Sequence, residues 1–169
     1  MHEEIGEIAR RLARLEDRIA VQDRIWGALI YSDLGEWAKA TACYTDDATV
    51  DLIDYDLSIW PDPKAMPVAE FRRLASQFMP GFEVRQHQVT NFQIDVQGDL
   101  AVSRSQVRAI HLIAGRIWEA HATYRHGMRR ENGEWKIRSL TARIIHQSGD
   151  DLIHVARRRV ASSLNERGA

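Results

Sequence analysis

Ile5, Ile8, Leu12, Leu15 and Ile19 recur at alternating steps of three and four, with Glu and Arg on the other faces. That spacing predicts an amphipathic helix. No proline interrupts the pattern through Trp26 and Ile30, so one long helix is expected over about residues 4–33. Its first part, about residues 4–20, carries an a/d-like seam and reads as an arm packing on another subunit or on the outside of its own sheet. Leu34-Gly35 breaks the helix, and Glu36 to Tyr44 reads as a short second one. Ala48 to Ile53 alternates and is rich in β-branched residues, which predicts a strand. Asp54 to Pro67 holds three of the four prolines and reads as a loop, and Val68 to Met79 as a third helix ended by Pro80-Gly81.

After Gly81 the period changes to two. Four strands are expected: Glu83–Val96, Leu100–Ala114, Arg116–Arg130 and Trp135–His146. The breaks between them, Gly98-Asp99, Gly115 and Asn132-Gly133, have hairpin-turn chemistry. Consecutive long strands joined by tight turns make an antiparallel meander. A final helix is expected over about residues 151–164. Nothing reads as a repeat or linker, so residues 1–169 are taken as one α+β domain, a curved, mixed or antiparallel sheet wrapped around a long helix.

Composition narrows the functional classes. The net charge of -1 provides no electrostatic footprint for nucleic acid or an anionic membrane. Cys43 is the only cysteine, so an intramolecular disulfide is excluded and a cysteine metal site is not expected. The first residues, Met1-His2-Glu3-Glu4, lack a secretory pattern, and no apolar run reaches membrane-span length; a soluble cytoplasmic protein is the expectation. The chain has no G-x-S-x-G, no phosphate-cradling glycine loop and no H-E-x-x-H, and the histidine spacing gives a metal site no support.

The informative residues are polar ones at apolar phases. Asp33 follows Trp26 by seven and Ile30 by three, which puts the three on one helical face. A carboxylate there needs a partner, or else caps the helix end. His87 sits in a strand run. His111 ends an alternating file of small and apolar residues, Ala101, Ser103, Ser105, Val107 and Ala109, which suggests a cavity; a core histidine satisfied by backbone is the alternative. Tyr124 alternates with Trp118, Ala120 and Ala122, and Arg143 with Trp135, Ile137, Ser139 and Thr141. Asp33, His87, His111, Tyr124 and Arg143 are thus expected to converge on one interior. An Asp–His pair there fixes the imidazole tautomer and suits abstraction of a proton α to a carbonyl.

Several stretches resemble the SnoaL-like branch of the NTF2-like superfamily, and most closely its scytalone dehydratase-like members. They are Tyr31-Ser32-Asp33-Leu34-Gly35-Glu36-Trp37, Ala65-Met66-Pro67-Val68-Ala69-Glu70-Phe71, Gln86-His87, Gln106 to His111, and Gly133-Glu134-Trp135-Lys136-Ile137. The Asp33–His87 pair is also similar to that of lindane dehydrochlorinase, and Arg143 to a last-strand arginine of the bile-acid 7α-dehydratase. The resemblance implies a conical NTF2-like fold with Asp33, His87 and His111 as catalytic core, no cofactor, and a homotrimer. It implies a lyase that dehydrates a small hydrophobic, ring-containing hydroxy-carbonyl compound, cyclic or polycyclic. Tyr31, Tyr55, Tyr124, Arg143, Trp26 and Trp60 would contact the substrate. The chain departs from scytalone dehydratase where two carbonyl-binding tyrosines stand: the first falls on Ser32, beside Tyr31, and the second on Leu52 or Tyr55. The strand serine and asparagine become Ala122 and Tyr124. A SnoaL-type cyclase, a ketosteroid-isomerase-like enzyme and a non-catalytic assembly subunit resembling a ring-hydroxylating dioxygenase small subunit are the alternatives.

Overall fold

The computed structural model describes residues 2–55 and 65–167. Helix α1 spans His2–Leu34 and α2 Trp37–Ala42; strand β1 spans Tyr44–Ile53 and β2 Met66–Pro67. Helix α3 spans Val68–Ala75, followed by a 3-10 turn at Met79–Gly81. Strands β3 (Val84–Gln97), β4 (Leu100–Ile113), β5 (Arg116–Glu131) and β6 (Glu134–Ser148) then lead to α4, Asp151–Arg167. The second and third helices are shorter than the spacing predicts. Chain from Tyr44 onward joins the sheet instead, and the helix at Val68 stops before Phe78 and Met79.

The sheet order is β2-β1-β6-β5-β4-β3. The last four strands form the expected antiparallel meander. The turns work because the chain enters left-handed backbone there: Ala114-Gly115 at φ 50° and 71°, Asn132-Gly133 at 52° and 83°. β1 returns to lie parallel to β6, so the sheet is mixed. The curved sheet wraps the second half of α1, and its inner face carries mostly small side chains: Ala101, Ser103, Ser105, Val107 and Ala109 on β4, Ala120 and Ala122 on β5, all buried. Those short side chains leave the helix room.

Two apolar stripes run along α1, and the sheet takes the less obvious one. Val21, Ile25 and Ala28 are buried. The Ile5–Ile8–Leu12–Leu15–Ile19 stripe stays exposed, each residue by more than half. Contact with the sheet begins at Asp17, which accepts hydrogen bonds from Arg130 at 2.6 Å and Trp135 Nε1 at 3.2 Å. Before that point the helix has no sheet to lie on, so the arm does not pack on its own sheet.

Two bulges set which side chains face α1. On β3, register shifts between Thr90 and Gln93, where Asn91 takes φ 56°. Arg85, His87 and Val89 precede the bulge on the helix-facing side, and Phe92, Ile94 and Val96 keep that side after it. On β6, Ile137 pairs with Met128 but Ser139 with Gly127, so Arg138 is an extra residue and the alternation flips there. Trp135 and Ile137 point inward before the bulge, Leu140 and Ala142 after it.

Candidate active site

Asp33 lies in the last turn of α1. Gly35, at φ 76°, ends that helix; its N–H bonds Ser32 O at 3.1 Å and the Glu36 N–H bonds Tyr31 O at 2.8 Å. This C-terminal cap points the Asp33 carboxylate across to β3. His87 answers it twice. Its backbone N–H donates to Asp33 Oδ2 at 2.7 Å and its ring Nδ1 donates to Oδ1 at 2.6 Å. A carboxylate accepts only, so Nδ1 carries a proton, and in the neutral imidazole Nε2 is the nitrogen left with the lone pair. Nε2 has no hydrogen-bond partner among the described residues. Both side chains are nearly enclosed, 12% and 13% exposed.

The pair sits between two spaces. Inside the sheet is a cavity of about 70 Å³ lined by Asp33, His87, Ser32, Arg72, Arg85 and Tyr124, with Phe71, Trp37 and Met79 as apolar walls. Outside, along the α1–β3 seam, runs a groove of about 340 Å³ formed by Trp26, Ile30, Leu34 and Val89. Leu29, Asp33, Arg85 and His87 border both. The inner cavity alone is smaller than a drug-sized pocket, typically about 300–1,000 Å³.

His111 is buried behind His87, their rings edge to face at 5.7 Å between centroids. It stacks on Trp118 at 4.3 Å. Desolvation, reinforced by the neighbouring His87, pushes its pKa down to about 3, against a weaker pull from the Trp118 backbone. It is therefore neutral near pH 7, and it does not line the cavity. Tyr124 reaches the cavity from β5, with the Tyr55 side chain in its electrostatic surroundings. Burial raises Tyr55 to about 12 and Tyr124 well above the ordinary tyrosine range, so both keep their protons.

The remaining expected residues lie elsewhere. Arg143 is outside the sheet, exposed and paired with Asp54 at 2.9 Å, because the Arg138 bulge reverses the face of the residues that follow it up to Ile144. Tyr31 is one helical step from Ser32 and turns away from the cavity, packing near Gly27 and under the Lys39 ammonium at 5.6 Å. Trp26 is 45% exposed and contributes to the outer groove, where it meets Phe92 edge-on at 5.9 Å. Trp60 lies outside the described residues.

Three cavity residues escape a reading that seeks only acids, bases and aromatics. Ser32 extends the buried series Val21, Ile25, Ala28 at helical spacing. Arg72 stands four after Val68 and three before Ala75, both buried, and so occupies the inner phase of α3. Arg85 shares the strand face of His87, two residues before it. Spacing signals all three.

No curated protein matches the chain by sequence. Among solved structures, protein Kfla4162 of Kribbella flavida superposes with a TM-score of 0.72 at 20% identity, covering 83% of this chain and 99% of its own. A type 2 hexachlorocyclohexane dehydrochlorinase, LinA, superposes at 0.68 and 20% identity, over 82% of this chain and 91% of its own. A candidate scytalone dehydratase from Novosphingobium aromaticivorans gives 0.67 and 19%, over 80% and 88%. These likenesses are of fold. The SnoaL-like domain family matches residues 13–141, most of the chain and every residue that lines the inner cavity. The chain therefore belongs to the SnoaL-like domain family, within the NTF2-like superfamily.

Proposed function

We propose that the protein is a cofactor-independent lyase, a dehydratase of a small, ring-containing hydroxy-carbonyl compound. The observation that carries this reading is the doubly held Asp33–His87 pair, its Nε2 unbonded among the described residues, on the border of cavity and groove. His87 Nε2 takes the proton α to the carbonyl. The electron pair moves onto the carbonyl oxygen, which Tyr124, backed by Tyr55, meets with a hydroxyl donor. The enolate then collapses, the β C–O bond breaks, and the His87 imidazolium returns its proton to the departing hydroxide as water. Asp33 stabilises the imidazolium in between. His111, buried and neutral, acts through its contact with His87 as a positioning residue.

A panel of cyclic β-hydroxy ketones, followed by mass spectrometry, tests the proposal. Loss of water, slowed when the α position is deuterated, supports it; a product of unchanged mass favours isomerisation with Asp33 as base. Asp33, however, has each oxygen engaged by His87. Assembly as a homotrimer, independent of nucleic acid and membrane, belongs to the same proposal and is read by sedimentation. The small cavity and the exposed arm of α1 favour one other reading, an assembly subunit. It predicts a stable hetero-oligomer and no turnover across the panel.

A further inference from the structure

The cavity carries more positive charge than the elimination needs. We propose that Arg72 and Arg85 form a receptor for a carboxylate, so that the ligand of this site is a cyclic or aromatic acid. The inference rests on the reading of the cavity as a substrate site but not on the reaction assigned to it.

The first ground is the absence of counter-ions. Arg10, Arg24, Arg73, Arg108, Arg129 and Arg130 each pair with an Asp or Glu. Arg104, Arg125 and Arg138, all exposed to water, have no carboxylate partner among the described residues; Arg72 and Arg85 also pair with none there and differ in being half-buried. Neutral groups hold them instead. Arg72 Nη1 donates to Ser32 Oγ at 2.9 Å, and that hydroxyl is itself committed as donor to Ala28 O at 2.8 Å. Arg85 donates from Nε to Asp33 O at 3.1 Å and from Nη1 to Met79 O at 2.9 Å. These bonds aim the guanidinium forks without neutralising them. Asp33 borders the same cavity, yet His87 occupies each of its oxygens and it bridges to neither arginine.

The second ground is an unmet donor. Arg72 Nε is buried and has no partner among the described residues. A buried charged donor left without an acceptor is costly, and a ligand oxygen relieves that cost. The third is shape. Arg72 lies against the rings of Tyr44 and Phe71, 5.4 and 5.6 Å from their centroids, and Arg85 against Trp37 at 5.8 Å. Planar guanidinia steadied on aromatic faces suit a planar carboxylate, bound by parallel N–H donors. The free volume of about 70 Å³ accepts a carboxylate head, and Leu29, Asp33, Arg85 and His87, which border both this cavity and the outer groove, mark the side on which an attached ring would lie.

Calorimetric titration of the full chain with benzoate, benzamide and inorganic phosphate tests this. Benzoate is expected to bind at least about tenfold more tightly than benzamide, the scale of a charge-assisted pair. Arg72→Gln and Arg85→Gln should each lose about that factor while circular dichroism stays unchanged, and Arg72→Lys should recover part of it. Arg85 also ties down two carbonyls; if Arg85→Gln does not fold, Arg72→Gln and the wild-type benzoate-to-benzamide ratio decide. Equal binding of benzoate and benzamide, preference for phosphate, or unchanged benzoate binding by folded Arg72→Gln overturns the carboxylate receptor. The lyase reading survives any of these, since neutral ketones would remain substrates. Conversely, intact benzoate binding without any elimination activity removes the lyase and leaves the receptor.

Discussion

Asp33 accepts both of its hydrogen bonds from one residue, the backbone N–H and the ring Nδ1–H of His87, so helix α1 and strand β3 are joined through the group that sets the imidazole tautomer. An amide in place of the carboxylate presents a donor to Nδ1 and favours the wrong tautomer. Asp33→Asn should therefore lower kcat on any substrate found by the hydroxy-ketone panel, by about 10²–10⁴-fold, with little change in fold. Steady-state kinetics beside circular dichroism checks this.

The buried histidines make the fold acid-sensitive. His111 and His126 are both held near pKa 3 by burial, against 6.5 for a free imidazole. Between these values the unfolded chain binds protons that the folded chain refuses. Stability is thus complete above about pH 6.5 and falls as pH drops toward 3, each histidine contributing a slope of up to about 1.4 kcal/mol per pH unit. Urea unfolding across that range should show it, and His126→Phe should flatten the curve. A pH-independent midpoint would mean that these imidazoles open to water before the chain unfolds.

Tyr124 and Tyr55 keep their protons far into alkali, burial being the main cause for each. Activity should show no tyrosine ionisation below about pH 10. Tyr124→Phe removes the donor facing the cavity and should cut kcat about 10–100-fold with a smaller change in KM. A pH–rate profile and the kcat-against-KM split are the readouts.

Helix α4 docks where the 3-10 turn has no side chain. A Cβ on Gly81 would sit 2.3 Å from the Ala156 carbonyl oxygen. Backbone cannot give as a flexible side chain can, so Gly81→Ala should destabilise the protein by about 1–3 kcal/mol through displacement of α4. Denaturant titration measures the loss.

Local periodicity makes the long helix and the four-strand meander legible, since each depends on neighbours in sequence. The parallel return of β1 onto β6 is not legible, because strand partners nearly a hundred residues apart leave no local signal. Asp33 and His87 stand out as polar residues at buried phases. Arg143 misleads for a definite reason: strict alternation from Trp135 places it inward, and the extra residue at Arg138 turns it out. The face of α1 misleads too, because its longer stripe precedes any sheet to pack on. Arg72 is visible at core spacing, but an arginine on a short helix reads first as a surface charge.

The central claim is that His87 moves the proton. The most direct test compares wild type and His87→Ala on a cyclic hydroxy ketone that the wild type dehydrates, with circular dichroism confirming an intact fold. A loss of turnover of at least about 10²-fold is predicted. Full turnover by folded His87→Ala would contradict the account.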